Sequence, residues 1–235
     1  MARDKLLTAA YRLLASRGFE VRRHPAARRQ RILADRGVDL VLDVGAARGG
    51  FGQQLRDFGY HGRIVSFEPL ASAYADLSGH ISSDPAWTAH HTALGAEPGT
   101  ATINVASNSD SSSLLPMLDA HRSAAPEVGY VDTQDVRVSR LDDLAEQALA
   151  TSAATYLKVD TQGFEREVLA GAPATLAQVV GLQLELSFVP LYDGGMTVDE
   201  AVSWAYRQGF HLVGIEQGYA APTGEILQVD GVFWR

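Results

Sequence analysis

Apolar residues in this chain fall into short runs that alternate with helical patterns, and several runs end on an acid or a glycine. Leu6, Leu7, Tyr11, Leu13 and Leu14 gather toward one side of a helical wheel, which predicts an amphipathic helix over residues 3–17. A second short helix is predicted across the arginine-rich segment that follows, leading into the apolar run Val38–Asp43. After a glycine-rich turn, Phe51–Phe58 reads as a helix closed by Gly59. Arg63–Glu68 then reads as a strand ending in an acid, Leu70–Leu77 as a helix and Trp87–Leu94 as a strand. Short apolar runs separated by helices predict parallel strands joined by crossovers.

The middle of the chain is less regular. Thr100–Val105 reads as a short strand and residues 107–113 as a polar loop. Residues 116–135 mix prolines, glycine and charges, which predicts an excursion from the sheet. Regularity returns with a short strand at Val136–Ser139, a helix at Leu141–Ala150 and a buried strand, Tyr156–Asp160, ending in a carboxylate. Helices are predicted at Glu165–Gly171 and Val198–Gly209, and strands at Val179–Ser187, Phe210–Glu216 and Ile226–Trp234. The short connection Gly218–Glu225 makes the last strand antiparallel to its predecessor. The expected architecture is an α/β domain with a mostly parallel seven-stranded sheet, a C-terminal antiparallel hairpin and helices on both faces. Residues 38–235 carry the sheet, and residues 1–37 are a helical extension of the same domain.

Composition narrows the partners. A length of 235 residues suffices for one sizeable core. A net charge of −8 argues against nucleic acid as a partner, because phosphate binding needs a basic face. The chain has no cysteine, so disulfides, thiolate nucleophiles and thiolate metal ligands are excluded. No apolar run reaches membrane-span length and the amino terminus lacks a signal-type apolar core, so a soluble, cytoplasmic protein is expected. Arg22, Arg23, Arg28, Arg29, Arg31 and Arg36 crowd before the first sheet strand. They read either as a solvated helix face or as a docking surface for an acidic carrier or an anionic substrate.

Candidate chemistry lies at the strand ends. Leu40–Val44 delivers Asp43 to a turn containing Gly45, Gly49 and Gly50. Glycines there allow close backbone approach and positive φ. Gly45-x-Ala47-x-x-Gly50 is also a degenerate dinucleotide fingerprint, which leaves a NAD-dependent oxidoreductase as the rival. An aspartate beside the turn would repel a pyrophosphate but favour the sulfonium and ammonium of S-adenosylmethionine. Glu68, ending the next strand, is placed to accept ribose hydroxyls. Asp160 ends a third strand and should face the same crevice. Glu165 reads equally as a helix-capping acid and as a site residue. Glu185 is an exposed edge residue by alternation, or a site acid if its strand is central. With Asp160 it could act on an acceptor proton or hold a divalent ion such as magnesium. Asn108, Asp110 and Ser112 in the polar loop, together with Gln162 and Tyr192, are candidates to contact the acceptor. His90 and His91 are adjacent and lack a metal-spaced partner, so they read as structural.

Taken in order, these motifs resemble the FkbM-type methyltransferases. The resemblance rests on Asp43-Val44-Gly45-Ala46 with Gly49 and Phe51, on Gly62–Pro69, and on Ala93-Leu94-Gly95. It continues through Asn108 with Ser112-Ser113-Leu114, Leu141-Asp142-Asp143, Lys158–Glu165 and Val229–Phe233, covering residues 38–235. It implies a Rossmann-like class I methyltransferase fold, S-adenosylmethionine as cofactor and a hydroxyl acceptor on a sugar, glycolipid or polyketide. It further implies that Asp43, Gly45, Ala46, Gly49 and Phe51 surround the methionine end. Glu68 and Pro69 would then meet the ribose, Ala93 and Leu94 the adenine, and Asp160 the transferred methyl. The chain departs from the family pattern at Ala47, where asparagine is usual. That departure is the one hint of a methyltransferase-fold partner protein without catalysis, against which the retained Asp43, Glu68 and Asp160 speak, and homo-oligomerisation is open.

Overall fold

A computed structural model describes residues 11–19 and 24–235. Strand β1 (Leu40–Val44) is buried along its whole length because it pairs in parallel with β2 (Arg63–Phe67) on one side and β7 (Thr155–Val159) on the other. Burial on both faces is why an apolar run interrupted only by Asp43 encodes it. With β3 (Trp87–His90), β8 (Val179–Ser187), β9 (His211–Gln217) and β10 (Gln228–Trp234) the seven-stranded sheet has the order β3-β2-β1-β7-β8-β10-β9. Strand β10 runs antiparallel to both β8 and β9, the C-terminal hairpin expected from the sequence. Strand order reverses between β1 and β7, and ligands of such sheets bind beyond the carboxyl ends of the strands at that point.

Alternate residues of the strands feed two apolar cores. On one face Leu40, Leu42, Leu157 and Leu182 pack with α6 (Leu141–Leu149), α7 (Glu165–Ala170), α8 (Pro173–Gln178) and α9 (Val198–Arg207). On the other, Val41, Ile64, Tyr156 and Trp234 pack with Leu33 of α2 (Pro25–Asp35), Leu55 of α3 (Gly50–Asp57) and Leu77 of α4 (Ala71–Ile81). Helix α2 begins where Pro25 presets the first turn and the His24 ring accepts the Ala26 N–H.

The region between β3 and α6 departs from the sequence expectation. Trp87–Leu94 is not one strand. The chain breaks at His91 and Thr92, where Thr92 Oγ1 donates to the Arg137 carbonyl at 3.0 Å. Ala93–Leu94 (β4) then leaves the main sheet to pair with Val138 and Ser139. Strand β6 runs from Tyr130 to Ser139, so the second part of the expected excursion is sheet. With β5 (Gly99–Ala106) these strands form a small sheet of order β4-β6-β5. Most of β6 is solvent-facing and polar, which hid its alternation. Helix α5 (Asp119–Ala124) fills the rest of the excursion, and the short α8 beginning at Pro173 was not anticipated.

Residues 11–15 are helical (α1), but Tyr11, Leu13 and Leu14 of the expected amphipathic face are exposed. Residues 3–10 of that segment lie outside the described residues. Among the described residues no helix is long and apolar enough to cross a membrane.

Candidate active site

The turn after β1 is built around two close approaches. Gly45 has φ +73°, and a Cβ there would stand 1.8 Å from the Asp160 carbonyl oxygen. Only glycine lets the two strand ends converge so tightly. Ala47 also takes a positive φ, +46°, in the left-handed region that asparagine tolerates better than alanine. Its N–H donates to Glu68 Oε2 at 2.8 Å, while Leu70 N–H donates to Glu68 Oε1 at 2.8 Å. Glu68 thus ties the turn after β1 to the turn after β2. Burial pushes its carboxyl up to about 7, against the lowering effect of those two N–H donors and of Lys158.

A polar row crosses the sheet face beneath this turn. Asp43 lies opposite Ser66 and Lys158, and Lys158 lies opposite Gln183. Ser66 Oγ donates to Asp43 at 3.2 Å, and Lys158 Nζ stands 3.3 Å from Asp43 Oδ1 and 3.5 Å from Asp160 Oδ2. Nζ also donates to the Gly45 carbonyl at 2.8 Å. Burial alone would favour the neutral amine, but Asp160, Asp43 and Asp230 outweigh it and raise the lysine above its usual value. Asp43 is fully buried and does not line the cavity described next. The strand-end acid expected at the pocket mouth is therefore the counter-ion that fixes Lys158.

Above this row lies a cavity of about 620 Å³. Of the residues expected at the cofactor, Gly45, Ala46, Phe51, Glu68, Pro69, Ala93, Leu94 and Asp160 line it. Gly49 does not; it caps α3 at φ +90° and faces Leu77, His80 and Trp87. Ala93, Leu94, Ile103, Leu114 and Phe164 make one end of the cavity apolar. Of the residues expected at the acceptor, Asp110, Ser112 and Gln162 line the cavity. Asn108 instead closes its own loop, accepting the Ser111 N–H at 3.1 Å and donating to Ser111 Oγ at 3.0 Å. Tyr192 is buried behind the lining.

Asp160, Gln162, Glu185 and Tyr192 form a relay. Gln162, with φ +54°, donates through Nε2 to Asp160 Oδ1 at 2.9 Å and to the two Glu185 oxygens at 3.1 and 3.3 Å. Its Oε1 accepts the Tyr192 hydroxyl at 2.8 Å. Glu185 is on a central strand, between β7 and β10, which removes the edge-strand reading. It stands behind Gln162 rather than at the cavity surface. Burial, reinforced by Asp160, Glu165 and Asp230, raises its carboxyl well above the ordinary range. The amide nitrogen of Gln162 joins the two carboxylates expected to hold a metal. Among the described residues no three His, Asp or Glu side chains gather as an ion site. Glu165 does not line the cavity but holds the turn before its helix: Oε1 accepts from Thr161 N–H at 2.8 Å, Thr161 Oγ1 at 3.1 Å and Gly163 N–H at 3.2 Å.

Sequence reasoning left several lining residues without a role. Lys158 and Asp230 carried a signal, since a charge inside an apolar strand needs a partner. His24, Arg29, Gln183 and Glu216 carried none, because α2 and β9 meet across most of the chain. Arg29 leaves the arginine cluster altogether; it is buried against Glu216, Gln54 and the Phe51 ring. Arg28, Arg31 and Arg36 remain on the exposed face, while Arg22 and Arg23 lie outside the described residues.

The lining fits a cationic nucleoside better than a diphosphate. Glu68, Asp110, Asp160, Glu216 and Asp230 line the cavity against Arg29, Arg48 and Lys158, and Lys158 and Arg29 are already paired. Each Glu68 oxygen keeps a lone pair free for a ribose hydroxyl while holding its backbone donor. Fold and site together define a Rossmann-like methyltransferase. Residues 43–212 match the methyltransferase FkbM domain, and the chain belongs to that family. Among solved structures it is similar to the FkbM methyltransferase of Methylobacillus flagellatus, with 13% identity and TM-score 0.51 over 84% of this chain. The chain spans 43% of that protein's length. It is also similar in fold to the magnesium protoporphyrin IX methyltransferase of Synechocystis, with S-adenosylmethionine bound, at 10% identity and TM-score 0.50. That likeness covers 89% of this chain and 77% of the other. No curated protein matches the sequence.

Proposed function

We propose that the chain transfers a methyl group from S-adenosylmethionine to a hydroxyl of a small molecule. The observation that carries this reading is the Asp160 carboxylate, part exposed in the cavity beside the Gly45 turn and backed by the Gln162–Glu185 relay. Gly45, Ala46 and Phe51 would enclose the methionine end, Glu68 the ribose, and Ala93, Leu94, Ile103 and Phe164 the base. When bound, S-adenosylmethionine supplies a methyl already activated by its sulfonium.

The chain's own contribution is alignment and proton handling. As the acceptor oxygen gains the methyl and the carbon–sulfur bond breaks, the hydroxyl proton passes to Asp160. Gln162 fixes the orientation of that carboxylate through Oδ1, and Lys158 does so through Oδ2. The raised carboxyl of Glu185 behind Gln162, and that of Asp230 pushed up to about 6 chiefly by burial, keep the surroundings able to hold a proton near neutral pH.

Labelled methyl transfer from S-adenosylmethionine to a panel of glycosides, glycolipids and macrolides tests the reading. Asp160→Asn is expected to lose about 100-fold or more in turnover, the scale of a general base. Its affinity for S-adenosylhomocysteine should stay within about threefold, measured by calorimetry. Turnover unchanged in that variant would remove Asp160 from proton transfer. Transfer to no hydroxyl by the wild type would overturn the O-methyl assignment.

A further inference from the structure

Gln162 holds an uncommon backbone conformation and is fixed from three sides. Its φ of +54° lies in the left-handed region, and Gly163 follows at +97°. A residue other than glycine stays there only where its surroundings determine it. Ser113 Oγ donates to its backbone carbonyl at 2.6 Å, Asp160 and Glu185 accept from Nε2, and the Tyr192 hydroxyl donates to Oε1. A Cβ at Gly163 would stand 2.7 Å from the Cβ of Tyr192, so glycine is what lets the tyrosine approach.

The Tyr192 hydroxyl has one proton and two carbonyl oxygens within reach, Gln162 Oε1 at 2.8 Å and the Ser111 carbonyl at 3.2 Å. The shorter contact goes to the glutamine. Burial, reinforced by Glu185 and Tyr130, raises the phenol above its ordinary value, so it stays a donor. Its ring is packed among Met117, Leu191 and Leu227 and is met edge-on by His121. Turning the Gln162 amide over would set Oε1 against the oxygens of Asp160 and Glu185. No other described residue donates to Oε1. Without the hydroxyl the side chain is free to swing from Asp160 into the cavity that it lines.

We infer that Tyr192 is a positioning residue, whose hydroxyl holds the Gln162 amide with Nε2 toward Asp160. The inference rests on the O-methyltransferase reading, in which Asp160 takes the acceptor proton, and adds what keeps that carboxylate aimed. Tyr192 itself is buried behind the lining and touches neither donor nor acceptor, so it acts through Gln162 alone.

The test compares Tyr192→Phe with Tyr130→Phe, which removes a hydroxyl from the same apolar cluster by breaking its 2.7 Å bond to the Leu115 carbonyl. In the free protein, side-chain amide NMR reads Gln162 directly, and loss of its NH2 pair in Gln162→Glu assigns it. Tyr192→Phe is expected to move that pair toward the position of exposed glutamines, while Tyr130→Phe leaves it in place. With a hydroxyl acceptor that the wild type methylates, Tyr192→Phe should lower kcat about 10–100-fold. KM and the affinity for S-adenosylhomocysteine should stay within about twofold. Melting temperatures near the wild-type value show that both variants are folded. A Gln162 pair unmoved in Tyr192→Phe, or kcat within about twofold of wild type, would overturn the positioning role. Equal losses in both phenylalanine variants would overturn it as well, because a loosened cluster would then explain them. A wild type that methylates no hydroxyl would remove the O-methyl reading, and a moved amide pair would still support Tyr192 as the residue that orients Gln162.

Discussion

Glu68 both fastens the fold and lines the cavity. Its two oxygens each hold a backbone N–H, and burial raises its carboxyl from 4.5 to about 7. The folded chain therefore holds this proton more tightly than the unfolded chain. The linked stability is present in full below about pH 4.5 and is lost as pH rises through about 7. Ligand binding runs the other way, because accepting two ribose hydroxyls calls for the ionised form. Calorimetric affinity for S-adenosylhomocysteine should fall about tenfold from pH 8 to pH 6, and Glu68→Gln should be weaker and flat over that range. A wild-type affinity independent of pH would mean that Glu68 does not meet the ribose. The position of this acid at the cavity was legible from its place at a strand end. That of Asp43 was not, because the same signature also describes a buried counter-ion, and Lys158, six strands later in the sequence, decided between them.

At the scale of elements, α2 is the piece whose placement matters most for the site. It reaches the sheet through Leu33 in the core, through Arg28 donating to the Ile215 carbonyl at 2.9 Å, and through the Arg29–Glu216 pair. Arg29→Ala would leave a buried carboxylate unpaired, and urea unfolding should show a loss of about 3–5 kcal/mol. The double replacement Arg29→Met with Glu216→Leu should recover most of it, since apolar side chains of similar size fill a buried ion-pair site well. A single substitution costing well under 1 kcal/mol would show that the pair does not fasten the helix. Sequence pattern located α2 and β9 separately but could not join them. Periodicity reports which face of an element is buried, whereas contact between residues 187 apart leaves no local trace. For the same reason the break after His90 was invisible. Trp87–Leu94 reads as one strand because both fragments are sheet, and only the pairing partner of Ala93–Leu94 differs.

At the scale of the molecule, the seven-stranded sheet supports the cavity and the small β4-β6-β5 sheet supplies its apolar end, including Ala93, Leu94 and Ile103. Ligand that binds only the assembled cavity must stabilise the whole. S-adenosylhomocysteine at about 100 times its Kd adds about 2.7 kcal/mol. For a chain of this size that corresponds to roughly 5–10 °C in melting temperature, read by differential scanning fluorimetry. NADH should give no comparable shift; an equal or larger one would revive the oxidoreductase reading. The sequence by itself determined the strands of the main sheet and most of its crossover helices, the buried parallel sheet with its closing hairpin, and the strand-end positions of Glu68 and Asp160. Each of these is written in local hydrophobic period and turn chemistry. Tertiary structure alone decided that Asp43 serves Lys158, that Gln162 joins Asp160 to Glu185, and that α2 lines the cavity. Those outcomes depend on which strands become neighbours, and pairing between distant segments is set by the packing of the whole core.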